Sequence, residues 1–324
     1  YPYPVYVHLK GKDLYNAAFF LYEQKIVAEI HKTLLPTYDV FDENRYFEPA
    51  DDWKVVPFKG KKLAITICED IWNLGDNPLY RICPMDKMMD QSPDILLNLS
   101  ASPFDYTHDE DRKATIKSNV VKYKKPLFYC NAVGSQTEIV FDGGSLVFDK
   151  DANLCGALPM FESSMQIFEC NEDGTINAPI LEPAARVPSK ELNPAVLVPE
   201  LNIDQVYKAL VLGVKDYFNK MGFKRAILGS SGGIDSAVTL AIACDALGKE
   251  NVHAILMPSP YSTEHSVDDA VQLSKHLNNP YDIIPIKDVY ETFLTTLKPI
   301  FKDLPFSLAE ENIQSRSRGN ILMA

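Results

Sequence analysis

Arg225-Ala226-Ile227-Leu228-Gly229-Ser230-Ser231-Gly232-Gly233-Ile234-Asp235-Ser236 reads as a strand that turns through glycines into a helix. The apolar start has strand length. The helix continues through Ser236–Leu247. Phosphate needs backbone N–H groups aimed at it and no Cβ in the way. Two successive glycines allow that approach, and a helix N-terminus adds partial positive charge. Ser231 and Ser236 add hydroxyl donors, and Asp235 is placed to offer Mg2+ a carboxylate. A lone Gly-Gly would be an ordinary turn with a Ser or Asp helix cap. The six-residue string after a buried strand argues for phosphate instead. It is neither a Walker loop, because no Gly-Lys-Ser/Thr follows, nor the dinucleotide fingerprint, because the third glycine is absent.

The surrounding rhythm alternates helix and strand. Residues 204–221 have an amphipathic pattern carried by Val206, Leu210, Leu212, Val214 and Phe218. Strand Arg225–Gly229, helix Asp235–Leu247, strand Val252–Pro258, helix Glu264–Leu277 and strand Tyr281–Ile286 follow. That order predicts a Rossmann-like parallel sheet with right-handed crossovers. Upstream, residues 182–200 hold Pro183, Pro188, Pro194 and Pro199. Proline disfavours continuous helix and central strand, so this segment reads as an extended linker. The expected domains are therefore 1–181 and 201–324.

The first half has a different texture. Short β-type runs recur at Lys25–Lys32, Lys62–Asp70, Asp94–Ala101, Pro126–Gly134, Ser145–Asp149 and Ser164–Glu169. Helical pattern is expected in Asp86–Asp90. It is clearer in Asp111–Lys124, with Ala114, Ile116, Val120 and Val121 as its apolar positions. Mixed strands and helices point to an α/β or α+β sandwich.

The whole chain has 324 residues and 46% hydrophobic content, room for two cores. Its net charge of −12 is spread over mixed signs, and no basic stripe for nucleic acid is evident. Apolar runs are strand-length, so no membrane partner is expected. Tyr1-Pro2-Tyr3-Pro4 is not a signal peptide. None of the six cysteines forms a Cys-x-x-Cys pair, which argues against zinc and for reduced thiols in the cytoplasm.

One of those thiols is singled out by position. Cys68 ends the apolar run Lys62–Ile67 and leads into Glu69-Asp70-Ile71-Trp72. Sheets of α/β proteins present active sites at such strand ends. A nucleophilic cysteine needs a cation or base to form thiolate, and Lys32, at the end of another strand, is a candidate.

Three stretches of the second half resemble the N-type ATP pyrophosphatases, and within them the NAD synthetases. They are Gly229–Ser236, Met257-Pro258-Ser259-Pro260-Tyr261-Ser262, and Ala309–Gly319. The resemblance implies that Gly229, Ser230, Ser231, Gly232, Gly233, Ile234, Asp235, Ser236 and Met257 bind ATP. Ser262, Glu311, Asn312 and Arg316 would meet nicotinic acid adenine dinucleotide (deamido-NAD). By itself, the pairing of Glu311 with Ser315 and of Asn312 with Arg316 would read as a polar helix face.

The first half resembles the nitrilase superfamily, specifically the glutaminase domain of glutamine-dependent NAD synthetases. The stretches that carry this are Lys32–Phe47, Ile67–Trp72, Asn98–Phe104, Asn131–Gly134 and Asp142–Ser145. A nitrilase-like αββα sandwich is implied. So is a thioester-forming Cys68, with Lys32 stabilising the oxyanion and Glu43 holding Lys32. Tyr38, Glu69, Trp72 and Ser102 would grip glutamine. The family also places a general-base glutamate on a strand well before the lysine, and continues past the Gln-Ser-Arg motif. Neither feature is found between Tyr1 and Ala324, so both domains are expected to be incomplete. The resemblance further implies a homo-oligomer. Two other readings stand beside this one: an ATP pyrophosphatase amidotransferase with another acceptor, or a catalytically silent assembly surface.

Overall fold

Leu63 to Ile67 are buried without interruption, as expected of a strand with neighbours on both sides and cover on both faces. In the computed structural model, which describes residues 2–4, 11–12, 14–74, 79–106, 108–177, 203–302 and 304–324, this strand lies inside a six-stranded sheet. The chain divides into two compact units. One comprises Tyr1–Gly134 and Ile139–Ile203, the other Ser135–Glu138 and Asp204–Ala324. The expected linker 182–200 lies outside the described residues.

The first half runs β1 (Pro2–Pro4), β2 (Leu14–Tyr22), β3 (Lys25–His31), α1 (Glu43–Tyr46), β4 (Val55–Phe58) and β5 (Lys61–Ile67). A 3-10 turn (Cys68–Ile71) follows, then α2 (Pro84–Met89), β6 (Ile95–Ser100), α3 (His108–Tyr123) and β7 (Leu127–Asn131). Next come β8 (Val133–Gln136), β9 (Ile139–Asp142), β10 (Leu146–Phe148), β11 (Leu154–Ala157), β12 (Glu169–Cys170) and β13 (Ile176–Asn177). The large sheet has the order β11-β10-β7-β6-β5-β4. Its centre, β5-β6-β7, is parallel, and its edges are antiparallel.

Two layers cover this sheet. On one face Ala18 and Ile30, from the antiparallel β1-β2-β3 sheet, pack against Val56, Leu63, Ile65 and Ile67. On the other, Ile71, Met85, Met88, Ile116 and Val120 cover Ala64, Leu96, Leu127 and Tyr129. A sheet-on-sheet sandwich with helices outside follows from these two clusters.

Several expected bounds move. The run Lys62–Asp70 stops being strand at Ile67, where the chain must turn to present Cys68. Pro126–Gly134 is two strands split at Ala132. Ser164–Glu169 is strand only at its last residue. Met165 and Ile167 are exposed there, so the alternating pattern has no sheet to join. Strand β2 is an addition. Its turn into β3 uses Glu23 and Gln24, both at positive φ (48° and 63°), a mirror-image hairpin turn without the usual glycine.

The second half runs α4 (Ile203–Met221), β14 (Ala226–Gly229), α5 (Ile234–Leu247), β15 (Val252–Leu256), α6 (Glu264–Leu277), β16 (Tyr281–Ile283), α7 (Lys287–Phe301) and α8 (Leu308–Met323). Strands β14-β15-β16 are parallel and adjacent in that order. The expected strands Val252–Pro258 and Tyr281–Ile286 are shorter, ending at Leu256 and Ile283. Leu240, Cys244, Val252, Ala254, Leu256 and Ala270 form the core. Leu210, expected on the apolar stripe of α4, is exposed, and Ala209 is the buried residue of that helix. Among the described residues no helix is long and apolar enough to cross a membrane. All six thiols are free, and Cys130 is exposed rather than buried.

Candidate active site

Cys68 begins the 3-10 turn at the C-terminal end of β5. Its φ is +45°, a left-handed conformation that costs a non-glycine residue about 1 kcal/mol or more. Its surroundings hold it there. The side-chain amide of Asn98 donates to the Cys68 carbonyl at 3.3 Å and to the Thr66 hydroxyl at 3.0 Å. Asp70, two residues on, accepts from the backbone N–H groups of Thr33 (3.0 Å), Leu34 (2.9 Å) and Ile67 (3.0 Å). One carboxylate therefore ties the segment after Lys32 to the residue before Cys68. Burial pushes the Asp70 carboxyl up to about 6, opposed by those three hydrogen bonds.

Lys32 follows β3 and is 1% exposed. Its Nζ lies 2.7 Å from both Oε1 and Oε2 of Glu43, at the start of α1. A buried cation needs such a partner. The structure thus joins Lys32 and Glu43. Burial pushes the Cys68 thiol up, Lys32 pulls it down, and Glu69 and Glu43 push it up further. The Ser100 hydroxyl donates to Asn98 Oδ1 at 2.7 Å. The thiol is protonated at rest and has a cation to stabilise charge that forms beside it.

Glu69 is buried next to Cys68. The Tyr38 hydroxyl donates to its carboxylate, at 2.9 Å from Oε1 and 3.0 Å from Oε2. Burial pushes the Glu69 carboxyl up, while Tyr38, Lys32 and Tyr80 pull it down. Ser102 is buried, and its N–H donates to the Asn131 side chain at 2.9 Å. Trp72 is half-buried and packs against the main core.

Helix α3 supports this region through side chains that periodicity alone passes over. Its buried face is Arg112, Ile116, Asn119 and Val120, which is helical spacing with two polar members. Arg112 makes a bidentate pair with Asp142, both distances 3.0 Å. Asp142 also accepts from Asn131 at 3.0 Å, so the chain of contacts reaches Ser102. Asn119 donates to the Ile71 carbonyl at 2.8 Å and fixes the turn that carries Cys68. Val121, expected to be apolar cover, faces solvent.

The second candidate site is the glycine loop after β14. Gly232 has φ +82°. A Cβ there would lie 2.1 Å from the Ser266 carbonyl oxygen of α6, so both conformation and space require glycine. Ser236 Oγ donates to the Gly233 carbonyl at 2.9 Å and accepts from Ser231 N–H at 3.2 Å. Gly233 caps α5, leaving Ile234 and Asp235 exposed in its first turn. A cavity of about 330 Å³ opens here, lined by Gly229, Ser230, Ser231, Met257, Ser262 and Arg318 among others. That size suits a nucleotide-sized ligand. Ser230 is 4% exposed, and its buried hydroxyl has no hydrogen-bond partner among the described residues. Ser262 sits in a turn, its hydroxyl accepting from Ser259 N–H at 2.9 Å.

Arg318 is the cation that sequence reading did not single out. It lines the cavity, its Nε donates to the Met257 carbonyl at 3.1 Å, and burial lowers its pKa. Glu311, Asn312 and Arg316 lie on the exposed side of α8 instead. The signal was available: Ile313, Ser317 and Ile321 mark the inner face of that helix, and Arg318 flanks it.

For Mg2+ the described residues do not form a site. Asp235 is a single exposed carboxylate, and no group of three or more His, Cys, Asp or Glu is placed to hold a metal. A protein-built site needs several oxygen ligands.

Residues 3–179 match the family model of carbon-nitrogen hydrolase. The chain belongs to the carbon-nitrogen hydrolase family. Joined to that hydrolase segment, residues 206–324 match the model of NAD synthase. The chain is 41% identical over 318 residues to a glutamine-dependent NAD(+) synthetase of Synechocystis sp., covering 97% of this chain and 54% of that protein. It is 36% identical over 331 residues to one of Thermotoga maritima, covering 97% and 56%. Among solved structures, the glutamine-dependent NAD+ synthetase of Acinetobacter baumannii in complex with adenosine diphosphate (ADP) has TM-score 0.82 and 32% identity. It covers 96% of this chain and 55% of that one. The chain therefore spans about half the length of the curated relatives it matches. The nitrilase-like hydrolase fold followed by an NAD synthetase fold is the architecture expected from the sequence.

Proposed function

We propose that this chain carries the glutaminase and nucleotide machinery of a glutamine-dependent NAD+ synthetase. One observation carries the reading. Cys68, with the buried Lys32–Glu43 pair beside it, occurs in the same chain as a glycine loop that only Gly232 can form.

In the first reaction the Cys68 sulfur attacks the side-chain carbonyl of glutamine, and the proton lost from the thiol ends on the departing amide nitrogen. Lys32 stabilises the tetrahedral oxyanion, and Glu43 keeps its ammonium in place. The C–N bond breaks, ammonia leaves, and water hydrolyses the thioester to glutamate. Tyr38, Glu69, Trp72 and Ser102 hold the substrate. In the second reaction ATP lies on residues 229–236 against Met257. A carboxylate oxygen of deamido-NAD attacks the α-phosphorus and pyrophosphate leaves. Ammonia then displaces AMP and gives NAD. Ser262, Glu311, Asn312 and Arg316 are assigned to the dinucleotide, and Arg318 to phosphate charge. The working form is assigned as a cytoplasmic homo-oligomer with small-molecule substrates.

Pyrophosphate release tests the acceptor. It should require deamido-NAD and fall to background with other carboxylates. Equal release with an unrelated acceptor would assign the loop to a different amidotransferase.

A further inference from the structure

Lys32 and Cys68 belong to different sheets. Lys32 follows β3 of the three-stranded sheet, and Cys68 follows β5 of the six-stranded one. The Lys32 N–H donates to the Asn16 carbonyl at 2.8 Å, and its own carbonyl accepts from the Ala50 N–H at 3.0 Å. Both contacts stay within the small sheet and its flanks. Between the sheets, Ala18 and Ile30 meet Leu63, Ile65 and Ile67 through apolar side chains. Apolar burial is non-directional. It holds the sheets together without fixing how far one strand end slides along the other.

Asp70 supplies the direction. It is buried, and its two oxygens divide the work. Oδ1 accepts from the N–H groups of Thr33 at 3.0 Å and Leu34 at 2.9 Å, while Oδ2 accepts from that of Ile67 at 3.0 Å. One oxygen therefore serves the residues after Lys32, and the other serves the residue before Cys68. An ionised carboxylate only accepts, so both oxygens are free to do this. Bonds to an ionised acceptor are also the stronger kind.

We propose that Asp70 is a positioning residue for the Cys68 chemistry: its two carboxylate oxygens hold the Lys32 ammonium in register with the Cys68 sulfur. This rests on the glutaminase reading. Lys32 acts on charge that develops in the transition state. A slip between the two strand ends therefore lowers kcat more than it changes KM.

Asp70→Asn keeps the shape but turns one oxygen into an amino group that cannot accept. In the full chain its glutaminase kcat should fall at least about tenfold, with KM within about threefold of the parent. The pH profile of Cys68 alkylation gives the sign. Removal of a nearby anion alone would move it to lower pH. Lys32 drifting from the thiol moves it to higher pH, by roughly one pH unit, and that is the expected result. Asp70→Glu keeps the charge but displaces the oxygens by a methylene, and it should lose kcat as well. An Asp70→Asn profile that stays or moves down, or a full-rate Asp70→Glu, would overturn the proposal. Amide hydrogen exchange on the parent reads the clamp without any substitution. Thr33, Leu34 and Ile67 should be protected together, and fast exchange at Thr33 and Leu34 beside a protected Ile67 would also overturn it. Absence of ammonia release from glutamine by the parent would overturn the glutaminase reading, while alkylation and exchange still report on the clamp.

Discussion

Cys68 is held between opposing influences. Burial is the largest and raises its pKa, and Lys32 lowers it. A raised thiol pKa means little thiolate at neutral pH and more as pH rises through the folded value. Alkylation of Cys68 by iodoacetamide should therefore accelerate above the ordinary thiol range. Lys32→Met removes the lowering influence and leaves Glu43 unpaired, which pushes in the same direction. In that variant the alkylation profile, read by mass mapping of the Cys68 peptide, should move to higher pH. An unmoved profile would remove Lys32 from the thiol's environment. Sequence alone singled out Cys68 and Lys32 by their places at strand ends, and it reached Glu43 only through family likeness, because the three lie on separate elements. Asp70, which joins two of those elements through backbone N–H groups, left no pattern to read.

Elements were legible where one residue type does one job. The glycine loop is such a case. Gly232 has positive φ and no room for a methyl group, while Gly233 has φ −83° and its Cβ would meet only Ser231 Oγ, at 3.4 Å. Gly232→Ala should cost about 2 kcal/mol of strain and weaken ATP binding at least about a hundredfold, because the loop must leave α6. Gly233→Ala should bind within a few-fold of the parent. Calorimetric titration with ATP checks both, and equal affinities would remove the steric argument. Elements were illegible where the pattern was broken by polar residues or by unusual turns. Helix α3 buries Arg112 and Asn119, which periodicity counts as surface. Strand β2 turns on Glu23-Gln24, which carries no glycine signal. Helix α7 holds Pro299 inside it, a residue that disfavours helix interiors.

At the scale of the whole chain, the Rossmann-like order of helices and strands and the sandwich were both readable from the run of short strands and the change of rhythm near residue 200. What periodicity could not supply was which residues meet across a unit, since Lys32 and Glu43, or Arg318 and Met257, approach only through the fold. The central claim is that glutamine supplies nitrogen at Cys68 while ATP chemistry belongs to the loop at 229–236. NAD formation by Cys68→Ala, measured with glutamine and separately with ammonium as the nitrogen source, tests it most directly. Loss of at least about a thousandfold with glutamine, with the ammonium rate retained, is the predicted result. Loss of both rates together, or retention of the glutamine rate, would contradict it.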